Sequence, residues 1–181
     1  VNAITIREDD QVIQVRLTTG DSQIIMANKH GRAIRFHEST VREMGRTATG
    51  VRGMTLDETG DDEVIGMICI KDPEKETVMV VSEQGYGKRS EIEDYRITNR
   101  GGKGVKTLNI TEKTGNLVAI KSVTDENDLV IINKSGITLR MKVADVRIMG
   151  RATQGVRLIN LEKRNDEIAS VCKVLSETES D

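Results

Sequence analysis

One seven-residue box occurs three times in this chain. Gly45-Arg46-Thr47-Ala48-Thr49-Gly50-Val51, Asn99-Arg100-Gly101-Gly102-Lys103-Gly104-Val105 and Gly150-Arg151-Ala152-Thr153-Gln154-Gly155-Val156 lie 54 and then 51 residues apart. A second landmark keeps step with it: Gly31, Gly85 and Gly136 each precede the Arg of their box by 15 residues. A spacing held three times means that one local geometry is reused. A period of this length in a β-rich pattern points to small sheets assembled radially or as a solenoid, each unit burying its faces against its neighbours.

The strand signals are short, β-branched and bounded by turns. Gln23–Ala27, the turn Asn28–Gly31 and Arg32–Phe36 predict a β-hairpin, with Gly31 supplying the positive φ of the turn. The pattern recurs as Val78–Val81, Ser82–Gly85 and Tyr86 onward, then as Leu129–Ile132, Asn133–Gly136 and Ile137–Met141. A strand is predicted after each box, at Val51–Leu56, Val105–Ile110 and Val156–Leu161. A charged turn and an apolar strand follow, at Val64–Ile70, Leu117–Val123 and Ile168–Val174. The expectation is an all-β, propeller-like array of four-stranded blades with almost no helix. Residues 1–175 are read as one repeat domain, with repeats 1–50, 51–104 and 105–155 and a partial one at 156–175. Residues 176–181 are read as an acidic, disordered tail. Val1 falls in the column of Val51, Val105 and Val156, so the chain is expected to start just after a box it does not contain, as a piece of a longer protein.

Several function classes find no support. The N-terminus has no signal-like apolar run, and no stretch is apolar enough to span a membrane, so a soluble cytoplasmic protein with no membrane partner is expected. Cys69 and Cys172 have no CxxC partner and are read as small buried side chains rather than metal ligands. His30 falls in a hairpin turn and His37 just past a strand, which suits surface or packing roles. Tyr86 and Tyr95 are read as packing or turn residues. The acidic run Asp125-Glu126-Asn127-Asp128 lacks the Gly and the distal Glu of an EF-hand loop. No catalytic residue, metal site, cofactor site or small-molecule substrate site is therefore expected.

Charge is the informative quantity, because it is segregated. The full chain has a net charge of −2, yet the equivalent windows 29–52, 83–106 and 134–157 together carry 18 of its 27 Lys and Arg and only 7 of its 29 Asp and Glu, a net of +11. Four columns are basic in every repeat: Arg35/Arg89/Arg140, Arg42/Arg96/Arg147, Arg46/Arg100/Arg151 and Arg52/Lys106/Arg157, with Lys103 added inside the second box. Duplication, or contacts between repeats, would leave the same columns. In a radial assembly, however, equivalent columns also fall at regular intervals along one rim, where they suit a bent polyanion. The box glycines Gly50, Gly101, Gly102, Gly104 and Gly155 either let the chain turn between strands or free backbone N–H groups to hold a phosphate. Only Phe36, Tyr86 and Tyr95 are aromatic. That leaves few platforms for stacking single-stranded bases and favours duplex DNA as the partner, bound through its backbone.

The segments Gly31-Arg32-Ala33-Ile34-Arg35-Phe36, Met44 to Gly53, Gly85-Tyr86-Gly87-Lys88-Arg89 and Met149 to Val156 resemble the C-terminal domain of the DNA gyrase A subunit, from about residue 1 to 175. The topoisomerase IV A subunit is the close alternative. The family's hallmark box is Gln-(Lys/Arg)-Arg-Gly-Gly-(Lys/Arg)-Gly. Thr98–Gly104 matches its last five positions and departs at the first two, as a degenerate copy would. The resemblance implies a β-pinwheel whose blades exchange strands. It also implies an outer basic rim that wraps duplex DNA without base-sequence specificity. The implied parent is an ATP-dependent type II topoisomerase that introduces negative supercoils in the bacterial cytoplasm, at the nucleoid. The rest of the A subunit and the B subunit would be partners in a heterotetramer, with ATP and Mg2+ used in other domains. A propeller-like protein-interaction scaffold, its basic columns serving only to join blades, is the competing reading from a different class.

Overall fold

The computed structural model describes residues 1–161 and 165–176. Its strands, in chain order, are β1 (Gln23–Asn28), β2 (Arg32–His37), β3 (Val64–Ile70), β4 (Thr77–Ser82), β5 (Tyr86–Glu91), β6 (Val105–Lys106), β7 (Leu117–Val123), β8 (Asn127–Asn133), β9 (Thr138–Lys142), β10 (Val156–Arg157) and β11 (Ile168–Leu175). One short 3-10 turn follows each hairpin, at Glu38–Thr40, Ile92–Asp94 and Val143–Asp145. The expected all-β array of small antiparallel sheets is what forms.

The sheet orders are β3-β1-β2-β6, β10-β5-β4-β7 and β11-β8-β9. Each hairpin is thus flanked on one side by the strand that follows it. On the other side, the first two hairpins receive a short strand from the next repeat. Val105–Lys106 pairs with Ala33 and Arg32, and Val156–Arg157 pairs with Gly87 and Tyr86. The box and the strand after it therefore close the blade before them, so consecutive blades are stitched together.

This exchange explains two departures from the expected strands. Val51–Leu56 is not a strand, because its partner would be a hairpin one repeat earlier and residues 1–22 contain no strand. The strands after the second and third boxes are two residues long rather than six. After Lys106 the chain turns, and the Thr107 and Leu108 N–H groups both donate to the Gly31 carbonyl, which drops Leu108 into the core. The close approach there requires a glycine. A Cβ on Gly31 (φ 81°) would stand 2.6 Å from the Leu108 carbonyl oxygen, and one on Gly85 (φ 79°) 2.7 Å from that of Ile159.

Two apolar layers hold the blades together. Ile25, Ala27, Ile68, Val78, Val80, Ile92, Tyr95 and Leu108 fill the space between the first and second blades. Met79, Val81, Leu129, Ile131, Val143 and Ile168 fill that between the second and third. Each such side chain contributes roughly 1.5–3 kcal/mol on burial. Since the middle blade is covered on both faces, β4 is buried throughout, and so is β5 up to its last residue, Glu91. Tyr95 and Tyr86 are packing residues as expected; Tyr95 is fully buried with its hydroxyl bonded to Thr107 Oγ1, and burial pushes it up to about 12. Cys69 is half-buried and Cys172 is exposed, contrary to the reading of both as buried; on β11 only Ile168 and Val171 are buried. In the expected tail, Ser176 is bonded through its N–H to the Glu126 carbonyl, while 177–181 lie outside the described residues.

Candidate nucleic-acid interface

The four basic columns separate once the chain is folded. Arg35 and Arg89 are each only 3 % exposed, so they do not belong to an outer rim. Arg35 donates to the Ile92 and Tyr95 carbonyls at 3.0 and 2.9 Å and to Gln23 Oε1. Arg89 donates to Asp125 at 2.6 Å, to the Val143 carbonyl and to Thr77 Oγ1. Both reach from one blade into the 3-10 turn of the next, and both act as inter-blade struts. Arg140 is exposed, with Asp128 at 2.8 Å and the Leu175 carbonyl as acceptors. The correction has a legible signal. Gln23, Thr77 and Asp128 stand twelve residues before these arginines and accept from all three. A polar acceptor repeated with the arginine marks an internal pair.

The other columns face outward and interlock across repeats. Arg100 donates from Nε to the Thr40 carbonyl at 3.1 Å and from Nη1 to the Arg52 carbonyl at 2.5 Å. Arg151 repeats the arrangement with the Asp94 and Lys106 carbonyls at 2.8 and 2.9 Å. Each half-buried guanidinium therefore ties its box to the backbone of the preceding repeat at two points. The column Arg42/Arg96/Arg147 is exposed in all three repeats, as are Arg52, Lys106 and Arg157, and so are Arg46 and Lys103. Arg157 lies over the Tyr86 ring at 5.6 Å and donates to its hydroxyl.

Several box glycines are accounted for by backbone geometry. Gly101 N–H donates to the Gly53 carbonyl at 2.8 Å, so it is already satisfied. Gly104 and Gly155 are required by close backbone approach, since a Cβ would come within 2.2 Å of the Ala33 carbonyl oxygen and 2.6 Å of that of Gly87. Gly50 and Gly102 are exposed. The third box turns its carbonyls inward onto a cation. Lys88, fully buried, donates to the carbonyls of Gly150 at 3.0 Å, Thr153 at 2.9 Å and Arg151. Burial and the adjacent Arg151 lower this lysine to about 8. In the second box Ile34 takes the corresponding place, beneath Gly102. Lys88 was missed from sequence because the equivalent residues Ile34 and Leu139 are apolar and no column marked it.

The hairpin turns are locked by side chains rather than by chemistry. Asn28 donates to Asp62 at 2.7 Å, and Ser135 to Asp166 at 2.6 Å. His30 sits against Asp57 and Asp61, and the bond to Asp57 raises its pKa. His37 bonds Ser39 and Asp21.

A protein-family model described as the DNA gyrase C-terminal domain, beta-propeller, matches residues 22–71, 76–124 and 127–172, one match per blade. The chain belongs to this family. The DNA gyrase A subunit of Staphylococcus aureus (strain NCTC 8325) is 49 % identical over 179 residues, 99 % of this chain but 20 % of that protein. The chain thus spans about a fifth of the curated relatives it matches. A DNA gyrase A C-terminal domain structure superimposes with a TM-score of 0.85 at 28 % identity, covering 96 % of this chain and 57 % of the other. The C-terminal domain of DNA topoisomerase IV gives 0.88 at 26 %, covering 96 % and 53 %. Within the gyrase C-terminal domain family, the three blades of this chain form the pinwheel arrangement, the second and third boxes each closing the blade that precedes them. No helix among the described residues is long and apolar enough to cross a membrane.

Proposed function

We propose that this domain binds and bends duplex DNA without base-sequence specificity, along the rim formed by Arg42, Arg46, Arg52, Arg96, Arg100, Lys103, Lys106, Arg147, Arg151 and Arg157. The observation that carries the reading is the interlock: Arg100 and Arg151 each tie their box to the backbone of the preceding repeat, at the exposed basic residues Arg52 and Lys106 among other points. Basic residues spaced one blade apart provide contacts at intervals along a curved path. Such contacts can offset the roughly 1–6 kcal/mol needed to bend 20–30 base pairs smoothly. The near absence of aromatics supports backbone recognition of a duplex over stacking of single-stranded bases.

The parent would be an ATP-dependent type II topoisomerase, with wrapping that presents a DNA segment to its catalytic core and drives negative supercoiling. The rest of the A subunit and the B subunit would be its partners, and the bacterial cytoplasm its location. The identity of 49 % over nearly the whole chain supports a gyrase parent rather than a topoisomerase IV one. Residues 1–175 act in this reading as one binding unit.

Energy transfer between dyes at the ends of a short duplex tests the bending. Binding should shorten the end-to-end distance, and Arg96→Gln with Arg147→Gln should restore it. A duplex that is bound but stays straight would contradict the proposal.

A further inference from the structure

The sheet edge opposite the boxes carries a second concentration of positive charge. In the first two sheets, β3 and β7 lie three strands away from β6 and β10, about 14 Å at the usual strand spacing. Successive residues of β3, β7 and β11 converge there: Cys69, then Lys121 and Ser122, then Cys172 and Lys173. Lys173 Nζ donates to the Ser122 carbonyl at 2.8 Å, which joins the last two strands. Arg16 and Lys71 complete the wall of a cavity of about 460 Å3. Four cations and two thiols line it, and no carboxylate does. Lys121 is half-buried, and burial lowers its pKa, opposed by an upward pull from Cys172, with Arg16 and Lys173 adding smaller downward ones. Like charges held this closely around one void are unfavourable unless an anion joins them.

We propose that this cavity is a binding site for a compact multivalent anion of the oligophosphate class, such as tripolyphosphate or the phosphate tail of a nucleotide, separate from the DNA-facing rim. Its volume lies within the range of small-molecule sites. Lys and Arg around a space without acids are the side chains that hold clustered phosphates. The three converging strands leave room for a few phosphate groups and none for a duplex. The site needs the blades assembled, because each of the three inner strands contributes to it.

The exposed Cys172 thiol reports directly on occupancy. Alkylation of Cys172 by uncharged iodoacetamide, followed by mass spectrometry on the full chain, should slow when tripolyphosphate is added at low salt. The protection should persist in Arg96→Gln/Lys106→Gln, which alters only the rim. In Lys121→Gln/Lys173→Gln it should need about tenfold more tripolyphosphate. Arg16→Gln/Lys71→Gln, at two exposed positions, should show the same loss and guards against misfolding of the first variant. Absence of protection, equal loss in the rim variant, or equal protection by a short duplex would each overturn the proposal.

Discussion

Replacing Arg35 by Met should destabilise the fold while leaving DNA affinity nearly unchanged, although Arg35 stands in a basic column. The guanidinium is 3 % exposed and satisfies the carbonyls of Ile92 and Tyr95 in the neighbouring blade. Met keeps most of the stem volume but leaves the Tyr95 carbonyl and Gln23 Oε1 without this donor and takes one of two donors from the Ile92 carbonyl, which keeps the Tyr95 N–H. A buried acceptor stripped of its partner costs about 1–3 kcal/mol, so the variant should lose roughly 3 kcal/mol. For a chain of this size that corresponds to a midpoint lower by about 6–12 °C. Arg35→Lys, which cannot reproduce the planar fork, should recover only part of the loss. Thermal and urea unfolding measure the first quantity. Duplex affinity measured well below the transition supplies the second and should stay within about twofold, since no charge is removed from the rim. A variant with an unchanged midpoint and a tenfold loss of affinity would refute the reasoning, because it would mean that Arg35 reaches DNA.

Arg96→Gln and Arg147→Gln should each change stability by less than about 0.5 kcal/mol, as exposed charges do, with affinity falling and the salt dependence flattening; circular dichroism and fluorescence anisotropy check the pair. Gly104→Ala should lower the urea midpoint far more than Gly50→Ala, because φ is positive at both (70° and 90°) but only Gly104 has a carbonyl oxygen, that of Ala33, at 2.2 Å from the added carbon. The raised pKa of His30, due first to its bond with Asp57, stabilises the fold while the ring is protonated. That stabilisation is complete below the unfolded value near 6.5 and is lost as pH rises through the higher folded value. The stability gap between wild type and His30→Gln should therefore shrink between acidic and mildly alkaline pH, and a gap independent of pH would contradict the assignment.

Much of the fold was legible because turn glycines and boxes recur at fixed spacing, and a repeated spacing needs a repeated geometry. The hairpins and the strands β3, β7 and β11 fall where alternation and turns set them. The lengths of β6 and β10 were not legible, since they depend on where the strand meets the hairpin turn of another repeat at Gly31 and Gly85. The basic columns were visible, but not their direction. Arg35 and Arg89 lie on strands covered on both faces, and a strand pattern read for one buried face leaves a charged residue on the solvent side. Arg100 and Arg151 could not be separated from the exposed arginines because their acceptors are backbone carbonyls, which every residue carries. Cys172 was misread because an apolar run does not reveal which of its residues are covered, and on β11 only Ile168 and Val171 are buried.

The salt dependence of duplex binding tests the central claim most directly. The rim offers eight exposed cations, Arg42, Arg46, Arg52, Arg96, Lys103, Lys106, Arg147 and Arg157, besides the two bridging arginines. If half of these ten touch phosphate, log K should fall with log salt at a slope of about −4.5. Removing Arg42, Arg96 and Arg147 together should bring it to about −2 if all three are among the contacts, with the unfolding midpoint unchanged. A slope near zero in the wild type, or one that the triple variant leaves intact, would contradict DNA binding along this rim.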